Sequence, residues 1–172
     1  MPLLKDGKLA EDSWRPLSED GAMPQGDLPG GDVIVTLEQW QAGRERLRGH
    51  NGRLGLRLKS DQSPAGIAED LGHFQLVALE FPRFGDGRAY SYARLLRERY
   101  GFKGELRAVG NVLRDQFLFM LRCGFDAFEV ANENAVDAWR EALAEFDLFY
   151  QPTGGSGATR GPLRRTAAPG TR

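Results

Sequence analysis

Apolar and polar residues alternate along the chain with two different periods, and the switch between them recurs five times. Val33-Ile-Val-Thr-Leu is a short apolar run of the kind expected for a strand buried on both faces. Thr36-x-x-Gln39 follows as a capping box, and Leu37, Trp40 and Leu47 form one stripe of a helix predicted to reach Arg48. Leu54, Leu56 and Leu58 then alternate with Arg53, Gly55, Arg57 and Lys59, which predicts a half-exposed strand near a sheet edge. Ser63-Pro64 is an N-cap with proline at the first helical position. Ile67, Ala68 and Leu71 give the short helix an inner face, and Gly72 stops it.

The third unit is the strongest. Leu76-Val-Ala-Leu-Glu-Phe81 reads as a buried strand, and Ala89, Ala93, Leu96 and Tyr100 share one face of a helix ended by Gly101. The fourth pairs a strand, Glu105–Val109, with a helix capped at Asn111 that carries Phe117-Leu-Phe-Met-Leu121. Apolar on nearly every side, that helix is either buried all round or meets another subunit. Gly124 closes it. The fifth is a strand, Phe125–Val130, then a helix capped at Asn132 or Asn134 and bearing Val136, Trp139, Leu143 and Phe146.

Strands alternating with helices imply a mainly parallel sheet with right-handed crossovers. The expectation is an α/β fold: a single domain of five β-α units, either flavodoxin-like or an incomplete β/α-barrel. Residues 1–32 read as an N-terminal hairpin, turning at Asp6-Gly7, and an arm. Residues 33–150 form the α/β domain. Residues 151–172, with five Gly, three Pro, four Arg and no acidic residue, read as a disordered basic tail.

Composition narrows the function classes. A net charge of −1 gives no overall pull toward nucleic acid or an anionic membrane. Neither a signal-peptide h-region nor a run of ~18 apolar residues is present, so a cytoplasmic protein is expected. The lone Cys123 cannot form an intrachain disulfide or ligate an iron–sulfur cluster by itself, and it reads as an inert core thiol. His50 and His73 lie in Gly-flanked loops and make no metal set with it. The dinucleotide fingerprint and a haem motif are both absent, so the cofactor is unknown; a flavin stays open, because a flavodoxin-like sheet can hold one without a strict motif.

In parallel sheets, ligands bind beyond the carboxyl ends of the strands. There the loop Glu80-Phe-Pro-Arg83-Phe-Gly-Asp86-Gly-Arg88-Ala-Tyr90-Ser91 stands out. Arg83, Arg88, Tyr90 and Ser91 are candidate anion-binding residues at a helix N-terminus. The same loop has a structural reading, in which Asp86 caps the helix and pairs with Arg83 or Arg88. Arg114 and Asp115 open the next helix; an arginine there opposes the helix dipole and calls for an anion or a carboxylate partner. Asp86, Asp115 and Glu80 are the candidates for proton transfer. Glu80, Arg107 and Glu129 are charges inside apolar strands, and Arg107 is expected between two carboxylates, as a buried lock or an anion site.

The runs Phe81–Arg97, Gly104–Gln116 and Arg122–Val130 resemble an uncharacterised bacterial family whose members are commonly labelled as oxidoreductases involved in sulfite reduction. The resemblance spans roughly Val33 to Tyr150. Asn111 departs from the aspartate expected at its position, so no catalytic acid is assigned there. The resemblance implies an accessory protein of assimilatory sulfite reduction with sulfite reductase or another sulfur-assimilation enzyme as partner. It also leaves room for an enzyme acting on a phosphorylated or sulfur-oxyanion substrate, and for a homo-oligomer.

Overall fold

A computed structural model describes residues 2–83, 85–131, 136, 137, 139 and 141. The predicted fifth helix, with its caps at Asn132 or Asn134 and its Leu143 and Phe146, and the tail 151–172 lie mainly or wholly outside the described residues.

The chain forms one mixed α/β domain around an eight-stranded, mostly parallel, curled sheet. In chain order the strands are β1 (Leu3–Lys5), β2 (Lys8–Ala10), β3 (Arg15–Pro16), β4 (Val33–Thr36), β5 (Leu54–Leu58), β6 (Phe74–Phe81), β7 (Glu105–Gly110) and β8 (Ala127–Glu129). Their order across the sheet is β2-β1-β8-β7-β6-β5-β4-β3. From β3 to β8 every neighbour is parallel and next in sequence. The N-terminal hairpin adds β1 antiparallel to β8, and Asp6 and Gly7 take the positive φ values, 50° and 73°, that its tight turn requires. An order without reversal has no topological switch point of the kind a flavodoxin-like sheet uses.

Such an order, with right-handed crossovers, puts helices on one face, and the packing of the described helices shows it. The α-helices α1 (Leu37–Arg48), α2 (Arg88–Arg94, running on as a wider turn through Arg99) and α3 (Phe117–Cys123) all bury side chains on the same layer, as does the 3-10 segment Pro64–His73. Trp40, Leu47, Ile67, Leu71, Ala89, Ala93, Leu96, Phe117 and Met120 meet Val33, Val35, Leu56, Leu58, Val77, Leu79, Phe81, Leu106, Ala108 and Phe128. The strand residues in that set are every second residue of their strands.

Among the described residues no helix packs against the opposite phase of the strands. Its apolar residues include a small cluster of Leu76, Ala78 and Val109, with Trp14 and Ile34 against it, and the buried Ala127 and Leu3 beside Arg107 and Glu129. This corrects the placing of β5 near an edge: it lies between β4 and β6, and Arg57 is exposed because that face of the sheet is open.

Local signals act as read. The Thr36 hydroxyl accepts the Gln39 N–H (3.2 Å) while the Gln39 side chain accepts the Thr36 N–H (2.8 Å), and the Ser63 hydroxyl accepts from Ala65 (3.3 Å). Gly124 ends α3 at φ 103°. Asn111 is not a cap: its N–H donates to Phe81 O (2.8 Å), a 3-10 turn at Arg114–Gln116 intervenes, and α3 begins only at Phe117.

Candidate functional site

The open face carries the charges that the strands seemed unable to bury. Register places Ala78 beside Arg57 on one side and Arg107 on the other, and Glu80 beside Val109. Arg107 in turn lies beside Ala127, and Ala127 beside Lys5. Charged residues therefore form a band across the sheet on its helix-free side.

Arg107 is fully buried. Its guanidinium holds Asp12 through both nitrogens (2.7 and 3.1 Å), donates to Glu105 (2.9 Å) and lies 3.8 Å from Glu129. Lys5 donates to the other Glu105 oxygen (2.8 Å). Burial alone would push the Arg107 pKa down, but hydrogen bonds and charge from Asp12 and Glu105 outweigh it and the value is raised. The Glu105 carboxylate likewise raises Lys5. Arg107 thus lies between carboxylates as expected, but they are Asp12, Glu105 and Glu129. Glu80 pairs instead with Arg57 (3.2 Å), because it sits beside Val109.

Above this band lies a cavity of about 530 Å³, the size of a small-ligand pocket. Ala78, Val109 and Ile34 form its floor, and Trp14 forms one wall with the Arg53 guanidinium stacked 5.0 Å from its ring. Arg57 and Lys59, with the carboxylates Asp12, Glu19, Glu80 and Glu129, supply its charged lining. Lys59 and Gln62 both donate to Glu38 (3.1 and 2.9 Å). That carboxylate is held down to about 2, first by its own backbone N–H and then by Lys59. Gln39 is buried and committed to Ser18, Ala22 and Thr36, tying the segment before β4 to α1.

The loop after β6 is organised differently. Arg88 donates twice to Asp86 (2.9 and 2.6 Å) and once to Ser60 (3.0 Å), and its N–H also reaches Asp86 (3.3 Å). The Arg88 guanidinium holds Asp86 far below the usual carboxylate range, so it is ionised and paired. Arg83 is exposed, and among the described residues its side chain makes no hydrogen bond or ion pair. Tyr90 packs edge-on against Phe81 (5.0 Å) and contacts Phe119 (4.8 Å), and burial raises its pKa. Ser91 and Asp115 are exposed. Arg114 is paired with Glu141 (2.9 Å). Of these residues only Glu80 lines the cavity, and Arg107 lies beneath it through Asp12 and Glu129.

Asp12, Trp14, Arg57 and Lys59 are site residues that sequence reasoning did not single out. Arg57 and Lys59 share the strand phase opposite to Leu54, Leu56 and Leu58, which pointed to exposure but not to a cavity.

Fold and site together define an α/β domain whose ligand-sized cleft opens on the helix-free face of a mostly parallel sheet. The chain belongs to a bacterial protein family of unknown function, DUF934, whose model matches residues 55–159. No curated protein matches it. The matched span includes Arg57, Glu80, Arg107 and Glu129; Asp12, Trp14 and Ile34 precede it. Among the described residues no helix is long and apolar enough to cross a membrane.

Proposed function

We propose that this protein is an accessory component of assimilatory sulfite reduction that binds a small oxyanion-bearing molecule in the open-face cleft. In this reading the sheet is an incomplete β/α-barrel, and the cleft occupies its concave side toward the carboxyl ends of the strands, where such sheets hold ligands. The observation that carries the proposal is the state of Arg57. It lines the cavity, is about half exposed (47%), and spends one hydrogen bond of 3.2 Å on Glu80. A guanidinium offers five donors, so an oxyanion can be bound there without breaking a buried pair. Arg88 is less suited, because its donors already serve Asp86 and Ser60. The sulfur context comes from the resemblance of the Phe81–Val130 runs.

Calorimetric titration with sulfite and sulfate at constant ionic strength tests this reading. Binding that is lost in Arg57→Ala and retained in Arg83→Ala supports it; absence of binding by the unaltered protein overturns it. Loss of growth on sulfate, rescued by a reduced sulfur source, in a deletion strain would place the protein in the process, and co-purification with sulfite reductase would identify the partner.

A second reading makes the chain an enzyme on a phosphorylated or sulfur-oxyanion substrate. It is favoured by Glu80, a partly exposed carboxylate (27%) beside the proposed anion site and able to exchange a proton with a ligand on Arg57. Turnover abolished in Glu80→Gln with binding retained would support it. A flavin spectrum of the purified protein would make the chemistry redox.

A further inference from the structure

The charges of the cleft are not matched in sign. Around Arg107, two cations, Lys5 and Arg107, face three carboxylates, Asp12, Glu105 and Glu129. Asp12 and Glu105 hold the close contacts at 2.7 and 2.8 Å, and Glu129 is left at 3.8 Å. Among the described residues that is the only charged contact of Glu129, whose side chain lines the cavity and is 26% exposed. At the other end of the cavity Arg57 and Lys59 each have one carboxylate, Glu80 and Glu38. Arg57 has donors to spare, so one end of the cleft can take an anion and the other end lacks a cation.

Register sets the separation of the two ends. Glu80 on β6 lies beside Val109 on β7, and the pairing of Ala108 with Phe128 brings Glu129 on β8 alongside Val109 on its other side. The Arg57 guanidinium reaches across to Glu80. Arg57 itself springs from β5, three strands from β8, so its free donors and the Glu129 carboxylate are between two and three strand spacings, roughly 10–14 Å, apart. Between them lie Ala78 and Val109, with Trp14 and Ile34 packed against the same cluster. An inorganic anion would fill the Arg57 end and leave the apolar floor and Glu129 unused.

We infer that the ligand of this cleft is zwitterionic: an oxyanion on Arg57 and an ammonium group on Glu129, joined by an apolar chain lying over Ala78 and Val109 beside Trp14. This rests on the proposed function for its anionic half and adds the cationic half and the length. The ammonium donates hydrogen bonds to a carboxylate that has no close partner, and the short chain covers the apolar surface that the half-buried Trp14 and Ile34 leave open above the buried Ala78 and Val109. An α-amino acid, whose two charges are separated by one carbon, cannot reach both ends.

The test is isothermal titration of the full chain with 5-aminopentanesulfonate, pentanesulfonate, pentylamine and the shorter aminomethanesulfonate. The unaltered protein should bind 5-aminopentanesulfonate at least about tenfold more tightly than pentanesulfonate. The shorter aminosulfonate should show no such preference, a comparison that needs no mutation. Glu129→Gln, checked for an unchanged melting profile, should bring the two pentyl sulfonates within about twofold while leaving pentanesulfonate affinity in place. Equal affinity for the two pentyl sulfonates, or a preference that survives Glu129→Gln, overturns the inference and leaves the anion site standing. If no sulfonate binds at all, the proposed function fails with it.

Discussion

Arg107→Leu is the perturbation for which the structure predicts the largest effect. The guanidinium is fully buried and is the group that binds Asp12, contacts Glu105 and faces Glu129. Removing one partner of a buried ion pair costs about 3–5 kcal/mol, because the charges left behind are uncompensated. Here the orphaned carboxylates are 28%, 12% and 26% exposed, so water can partly solvate them, and Lys5 still neutralises Glu105. The expected loss is therefore at the lower end, about 3 kcal/mol. That is a large share of the ~5–15 kcal/mol that holds a domain folded, and corresponds to a fall in Tm of roughly 6–12 °C at this chain length. Urea unfolding followed by far-UV circular dichroism measures it, with an unchanged m value showing that the folded state is otherwise intact. The double variant Asp12→Asn/Arg107→Leu should lose less than the sum of the single changes, since both break the same contact. A loss below about 1 kcal/mol, or strict additivity, would refute the assignment of Arg107 as the pin that holds the N-terminal segment on the sheet.

Three further outcomes follow from local geometry. Gly110 sits at φ 91° with a hypothetical Cβ 2.6 Å from the Phe81 carbonyl oxygen, so Gly110→Ala should cost about 1–3 kcal/mol in denaturant titration. Arg97 donates to the carbonyls of Gly124, Phe102 and Gly104 (3.0, 2.7 and 2.8 Å) and to Asp126 (2.8 Å); Arg97→Ala should cost about 3 kcal/mol and speed amide exchange at Phe125 and Asp126. Glu38 is depressed from 4.5 to about 2 on folding, so its contribution to stability is fully present above 4.5 and is lost as the pH falls toward 2. Glu38→Gln should accordingly flatten the decline in urea midpoint between about pH 5 and pH 3, an effect that weakens in high salt because the pair with Lys59 is exposed.

Much of the scaffold was legible because it is local. The capping box at Thr36–Gln39, the Ser63-Pro64 start and the Gly124 stop are encoded within a few residues, and the β4 to β8 strands fall where apolar runs and alternation place them. The sheet order was not legible, since crossover units of this length serve a reversing sheet and a monotonic one equally. The site depended on that order. Glu80, Arg107 and Glu129 were recognisable as misplaced charges, but which carboxylate meets which cation is a matter of register between strands far apart in sequence. Arg57 read as ordinary solvent-facing polarity. Asp12 and Trp14 lie in a turn-rich stretch with no periodicity, and only the fold shows that it crosses the open face and supplies the counter-charge for Arg107. The Arg83–Ser91 loop attracted attention through composition, yet its Asp86–Arg88 pair is internally satisfied.

The central claim is that ligands enter on the helix-free face of the sheet, at Arg57 and Glu80. Amide and indole chemical-shift mapping during titration with sulfite tests it most directly. The account predicts perturbations at Arg57, Glu80, Val109 and the Trp14 indole, with the Arg83, Ser91 and Arg114 resonances unmoved. Shifts confined to Arg83, Arg88, Ser91 and Arg114, with the open face silent at saturation, would contradict it.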